Sequence, residues 1–274
     1  MKKLVKETSE RLPWFRDVTR DSRFDIAFQP IVSLRTRTIH YFEALARFDG
    51  KIEESPYDAI AFAENAGVIT DFDLAMAARV LEWLAENDDE EAVIAVNVSG
   101  RSVANAAFVG ALHGLLNQYD AIRSRIMFEV TESARIEDLR QANEVIQGLR
   151  AVGHKVCLDD FGAGSAALRY LHALDVDTVK IDGQYVRSAQ ARSRNRKFLK
   201  AVAGLCRDLG IATIAEMVEN EDTAVMLAES NVDCGQGYKF GKPDFDINSF
   251  GLPRNETVSA RESRPRRRMP NVWA

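Results

Sequence analysis

Short apolar runs that alternate with helical segments, about eight times from Phe24 onward, constrain this chain more than any other feature. They read IAFQPIV, IHYFEALARF, AVIAVN, RIMFEV, KVCLDD, DTVKID, IATIAE and DCGQGY. Between them Leu74, Ala77, Leu81 and Leu84 share one helical face, as do Leu139, Ala142, Ile146 and Leu149, and again Phe198, Val202, Leu205 and Leu209. That spacing predicts amphipathic helices with these residues turned to the core. Strands apolar almost throughout, each followed by a crossover helix, imply a parallel sheet covered by helices. About eight such units predict an α/β chain closed into a TIM-like (β/α)8 barrel. An open doubly wound sheet is the competing arrangement, weakened because no G-x-G-x-x-G or G-x-x-x-x-G-K-[ST] loop follows an early strand.

The chemistry sits where polar residues interrupt these runs. Asn97 ends AVIAVN, Glu129 ends RIMFE, Asp159 and Asp160 end KVCLDD, Lys180 follows DTV, Glu216 ends IATIAE and Gln236 follows DCG. A β/α barrel gathers the C-terminal ends of its strands around one mouth, so these residues are expected to converge in one pocket. Buried carboxylates repel one another and are costly to desolvate, so such a cluster calls for cations. Carboxylate and amide oxygens, with one Lys and no Cys or His at the strand ends, suit hard ions such as Mg²⁺ or Mn²⁺ rather than zinc. Asp159 followed by Asp160 suits a bridging ligand beside a terminal one, hence two ions. An enolase-like site uses similar residues around Mg²⁺, and the pattern alone leaves that alternative open.

Composition bounds the remaining classes. With 46% apolar and 28% charged residues the chain has the profile of a soluble globular enzyme. No run approaches the roughly 20 apolar residues of a membrane span, and the opening MKKLVKETSERL lacks the apolar stretch of a signal peptide. No membrane insertion and a cytoplasmic location are therefore expected. Cys157, Cys206 and Cys234 are odd in number and lie in apolar runs, which fits small buried residues rather than a zinc site or disulfides. Residues 252–274 hold six Arg against two Glu, +4 of the total of −5, and leave −9 for the rest. An acidic body argues against binding a nucleic-acid polymer, and residues 251–274 read as a disordered basic tail. Residues 1–23, polar and interrupted by Pro13, read as a short leader helix and linker, which leaves 24–250 for the barrel.

The residues themselves then separate the alternatives. Glu43-Ala44-Leu45, with Arg47 two residues on, resembles the motif that names the EAL-domain cyclic di-GMP phosphodiesterases, and it follows a matching F-Q-P-I-V at 28–32. In order come V-N-V-S at 96–99, F-E-V-T-E-S at 128–133, D-D-F-G-A-G at 159–164, V-K-I-D at 179–182, A-E-x-V-E at 215–219 and Q-G-Y at 236–238. The resemblance runs from about Phe24 to about Pro243. It implies hydrolysis of one phosphodiester of cyclic di-GMP to linear pGpG. By position, Glu43, Asn97, Glu129 and Asp159 would hold one metal, and Asp159, Asp160 and Glu216 the other. Lys180 would orient or help deprotonate the attacking water, with Glu43 and Glu216 completing the catalytic set. Arg47 would clamp a phosphate, Gln29, Glu219 and Gln236 would lie near the substrate, and Glu132 would brace the loop after Asp160.

The presumed ligands are all present, and the departures lie around them. Met217 stands where the family has Gly, Asn220 where it has Thr and Ser165 where an aromatic is common, and the segment after Arg47 is short. In the family the loop containing Ser165 couples metal binding to dimer contacts, so the resemblance implies a homodimer. The alternative reading is a cyclic di-GMP receptor that does not hydrolyse the nucleotide and signals through a protein partner.

Overall fold

The computed structural model describes residues 2–48, 55–87, 92–131, 138–162 and 167–254. All eight predicted runs form strands: β1 (Phe24–Ser33), β2 (Ile39–Phe48), β3 (Ile94–Ser99), β4 (Ile126–Thr131), β5 (Val156–Phe161), β6 (Thr178–Ile181), β7 (Ala212–Ala215) and β8 (Cys234–Gln236). They close into one barrel in sequence order. The helices are α1 (Lys2–Arg20), α2 (Pro56–Ala66), α3 (Ile69–Glu86), α4 (Gly100–Val103), α5 (Ala106–Leu116), α6 (Leu139–Ala151), α7 (Ala167–Ala173), α8 (Gly183–Ala191), α9 (Ser193–Asp208) and α10 (Glu221–Glu229). Their starts follow from the sequence. Ser55, Asn105, Asp138, Asp182 and Asn220 each cap a helix by accepting backbone N–H bonds on the side chain.

The sheet is not wholly parallel, as the repeat predicted. From β2 to β8 each neighbour is parallel, but β1 runs antiparallel to both β2 and β8. The cause is the length of the first connection. Only residues 34–38 separate β1 from β2, with Ser33 N–H bonded to the Thr38 carbonyl at 2.9 Å and Arg37 at a φ of 59°. So short a link closes a hairpin, whereas parallel neighbours need a crossover of a dozen residues or more.

Inside the barrel, side-chain alternation builds two layers. Ile31, Tyr41, Ala95, Met127, Cys157, Ile214 and Cys234 form an apolar plug separate from the main core. Two residues further along each chain segment, toward the mouth, stand Gln29, Glu43, Asn97, Glu129, Asp159, Glu216 and Gln236. On β1 the step is backward in sequence because that strand is reversed. A period of two places both sets on the inner face.

Outside the barrel two of the three predicted helix stripes face the core: Ala77, Leu81 and Leu84 are buried with Leu74 partly so, and Leu139, Ala142, Ile146 and Leu149 are all buried. The third is wrong. α9 buries Leu199, Val202, Ala203 and Cys206, while Phe198, Leu205 and Leu209 are 50%, 41% and 55% exposed. Both sets fit helical spacing and share Val202; the buried one, with its smaller side chains, allows the helix close to the sheet.

The ends of the chain also differ from expectation. α1 continues through Pro13, and Phe15 is fully buried among aromatic rings, 5.3 Å from Phe72 and 6.1 Å from Phe48 between centroids. The leader is therefore packed on the barrel rather than a free linker. At the other end Phe250 lies 5.8 Å from the Phe42 ring, Ile39 N–H bonds the Pro253 carbonyl at 2.8 Å and the Arg254 guanidinium lies over Phe42. Packing extends past residue 250 to at least 254, and the rest of the expected tail lies outside the described residues. All three cysteines are buried and free. Among the described residues no helix is long and apolar enough to cross a membrane.

Candidate active site

The polar layer centres on Lys180, which projects inward from β6 and is 1% exposed. Its Nζ lies 2.9 Å from Glu129 Oε2, 3.1 Å from Glu43 Oε2 and 3.4 Å from both Asp159 Oδ1 and Glu216 Oε1. Glu43 comes from mid-β2, Glu129 from β4, Asp159 and Asp160 from the end of β5, and Glu216 from just past β7. The β5–β6 register shifts between Leu158 and Phe161, and Asp160 adopts a φ of 59°. That kink lets two consecutive carboxylates serve one site instead of pointing to opposite faces. Neighbouring amides hold Glu43: Asn97 Nδ2 donates to Oε1 and Gln236 Nε2 to Oε2, each at 2.6 Å. Gln236 also donates to Gln29 Oε1 at 3.1 Å.

Charge in so dry a place is contested. Burial works against the Glu43 charge, but Lys180 and the two amides outweigh it and hold this carboxyl below its ordinary range. Burial pushes Glu129 up to about 8 despite Lys180, with Glu43 and Asp159 adding to the rise, and Glu216 also to about 8. Burial and Asp159 raise Asp160 to about 6, and burial raises Asp159 as well. Lys180 is itself opposed by burial, yet Asp159, Glu129, Glu43 and Glu216 keep it firmly protonated. One ammonium thus serves more carboxylates than it can neutralise.

The expected metal ligands are brought together as two overlapping triads, Glu43 with Glu129 and Asp159, and Asp159 with Asp160 and Glu216. The oxygens of each triad lie within 4.8 Å of one another. Asn97 stands beside the first triad, and its buried Oδ1 has no hydrogen-bond partner in the protein. An unpartnered amide oxygen among carboxylates is what a hard cation would complete.

A cavity of about 530 Å³ opens above these groups, with Gln29, Glu43, Asp159, Lys180, Glu216, Glu219 and Gln236 in its walls. Gln29 is 8% and Gln236 5% exposed, so both sit deep and brace Glu43. Glu219 lies at the rim. Arg47 is not one of the wall residues; its Nη1 bonds the Ala46 carbonyl at 2.8 Å, and the guanidinium lies close enough to Tyr238 and Glu43, both in the wall, to feel their charge. Glu132 and Ser165 lie outside the described residues. Sequence reasoning did not assign five wall residues to the site: Leu45, Arg187, Met217, Gly237 and Tyr238. Arg187 pairs with Glu219 at 3.4 Å. It is five residues past Asp182 on the helix that leaves β6 at the mouth, and that placement was readable. It also missed Tyr41, whose hydroxyl donates to Glu129 Oε1 at 2.9 Å from the layer below.

A sequence model of the EAL domain matches residues 14–243. The cyclic di-GMP phosphodiesterase PdeF of Escherichia coli K12 is 31% identical over 246 residues, 88% of this chain and 32% of that protein. The cyclic di-GMP phosphodiesterase PdeB of Shewanella oneidensis is 31% identical over 191 residues, 69% and 22% of the two chains. The chain thus spans a third or less of the length of these two relatives. Among solved structures, an EAL domain protein of Listeria monocytogenes EGD-e aligns with a TM-score of 0.71 and 27% identity over 83% of this chain and 91% of that one. The PaMucR phosphodiesterase in complex with c-di-GMP aligns with a TM-score of 0.74 and 26% identity over 86% and 97%. With its motifs in order on a closed eight-stranded barrel and a match over residues 14–243, the chain belongs to the EAL domain family.

Proposed function

We propose that this chain hydrolyses one phosphodiester of cyclic di-GMP to linear pGpG, with two divalent ions, Mg²⁺ or Mn²⁺, in the barrel mouth. The observation that carries the reading is the pair of acidic triads sharing Asp159. Glu43, Asn97, Glu129 and Asp159 would hold one ion, and Asp159, Asp160 and Glu216 the other. Charge supports two: the five carboxylates against the single Lys180 ammonium leave four negative charges, which two divalent cations neutralise. When bound, such ions lower the pKa of a shared water, polarise the phosphoryl oxygens and stabilise the leaving alkoxide.

The chain's own residues bind and orient. Lys180, held at the centre of the layer by Glu129, Glu43, Asp159 and Glu216, would orient the attacking water or help deprotonate it. Water oxygen bonds to phosphorus, the bond from phosphorus to the 3′ oxygen breaks, and that oxygen leaves with a proton, so the phosphate stays on the 5′ side. Gln236 and Gln29 keep Glu43 in place through their amide chain. Arg187 supplies cationic charge at the cavity wall, and Arg47 joins it on a phosphate once its guanidinium turns from the Ala46 carbonyl. Arginine suits that role because its planar fork can match two phosphate oxygens.

The reading is tested by incubating the protein with cyclic di-GMP and Mg²⁺ or Mn²⁺ and separating the products by chromatography. Linear pGpG is expected, and none in EDTA. Nucleotide that binds but is returned unchanged in either metal would place the chain among receptors.

A further inference from the structure

Tyr41 is the one member of the apolar plug whose polar tip reaches the layer above. Its ring is 4% exposed and packs with Ile31, Ala95, Met127, Cys157, Ile214 and Cys234. A phenylalanine would fill the same space. The hydroxyl does something packing does not require, since it donates to Oε1 of Glu129, a carboxylate with no exposure at all, at 2.9 Å.

The second oxygen of that carboxylate, Oε2, is the one that meets Lys180 at 2.9 Å. The two oxygens thus have separate partners, a neutral donor below and the Lys180 ammonium above. The final torsion of a glutamate is broad and roughly two-fold, so a carboxylate held from one side only would spread over orientations. A phenol fixed by barrel packing removes that freedom.

We infer that Tyr41 is a positioning residue for the metal centre, its hydroxyl holding Oε1 of Glu129 so that Oε2 is presented to the ion shared with Glu43 and Asp159. The inference rests on the metal-assisted reading above but concerns metal affinity, so the two can fail separately. Partners that orient ligating groups from behind are worth about 10- to 100-fold in metal affinity or activity.

The test is Mn²⁺ titration of the full chain by calorimetry, for wild type and Tyr41→Phe, with thermal midpoints in EDTA and in Mn²⁺. Tyr41→Phe is expected to bind Mn²⁺ about tenfold or more weakly, and the rise in midpoint that Mn²⁺ gives the wild type should shrink with it. In a Glu129→Gln background the same change should add almost nothing, because the two side chains act as a unit. Equal Mn²⁺ affinity in wild type and Tyr41→Phe, or full additivity with Glu129→Gln, would overturn the inference and leave Tyr41 as packing. A Tyr41→Phe protein that does not fold would overturn it too, by showing the hydroxyl to be structural. Wild type that binds Mn²⁺ without cleaving cyclic di-GMP would sink the phosphodiesterase reading alone; wild type that binds no Mn²⁺ would sink both.

Discussion

Asp160 and Met217 are the two non-glycine residues of the site with left-handed backbone, at φ values of 59° and 55°. For Asp160 the kink brings its carboxylate to the same cluster as that of Asp159. Met217 is different: it is 42% exposed, rests against Gly183 and lines the cavity. Left-handed backbone costs a bulky residue about 1–2 kcal/mol, while glycine's extra freedom in the unfolded chain costs about 0.5–1 kcal/mol. Met217→Gly should therefore raise stability by up to about 1 kcal/mol in urea melts; a loss would mean that its packing on Gly183 outweighs the strain. The sequence marked Met217 as a departure from the family's glycine, and the positive φ explains why glycine is usual there. It could not show the Tyr41 contact, because nothing in the residue string tells which buried phenol reaches a carboxylate on a strand two positions around the barrel. Nor could it show that Arg47 Nη1 bonds the Ala46 carbonyl.

The same carboxylates set a pH dependence. Glu129 and Glu216, raised to about 8 from an ordinary 4.5, hold protons in the folded chain that the unfolded chain has released. Stability of metal-free protein should therefore fall as pH rises from about 4.5 to about 8. Melts in EDTA should show a lower midpoint at pH 8 than at pH 5, and Mn²⁺ should flatten most of the difference. Asp73, raised to about 7 by burial where it accepts from Ser99 N–H and the Ser102 hydroxyl, lies outside the acidic cluster and should leave a residual slope. A midpoint in EDTA that stays level or climbs across this range would contradict the assignment.

At the scale of elements, strand positions were legible because each run is short, apolar and punctuated, and the inward residues follow from a period of two. Direction was less legible. The string alternates strand with helix everywhere except between β1 and β2, and the five-residue gap there was the signal for a hairpin. For α9 the sequence offers two stripes, and choosing between them requires knowing which one the sheet can accept. The structure makes the choice testable. Leu199→Ala, at a fully buried position, should cost about 2–5 kcal/mol in denaturant melts, whereas Leu205→Ala on the exposed stripe should stay within about 0.5 kcal/mol. Comparable losses at both would mean that the Leu205 face is covered as well.

Taken whole, the molecule is a closed barrel whose lower layer is apolar and whose upper layer is acidic, capped at one side by α1 and strapped by the segment to Arg254. Closure makes the chemistry possible, since residues from 43 to 236 meet only when the sheet returns on itself. The ordered motifs made the barrel and its acidic mouth readable in advance; the packing of α1 and of residues 251–254 was not, because Phe15 and Arg254 sit in segments whose polarity suggests solvent. On the proposed function, the acidic layer uses bound divalent ions to add water across a phosphodiester of cyclic di-GMP. Hydrolysis in H₂¹⁸O, followed by mass spectrometry of the nucleotide, tests it most directly. A linear dinucleotide with one ¹⁸O on its terminal phosphate is expected in Mn²⁺, and no linear product in EDTA. Cyclic di-GMP recovered intact and unlabelled from Mn²⁺-loaded protein would contradict it.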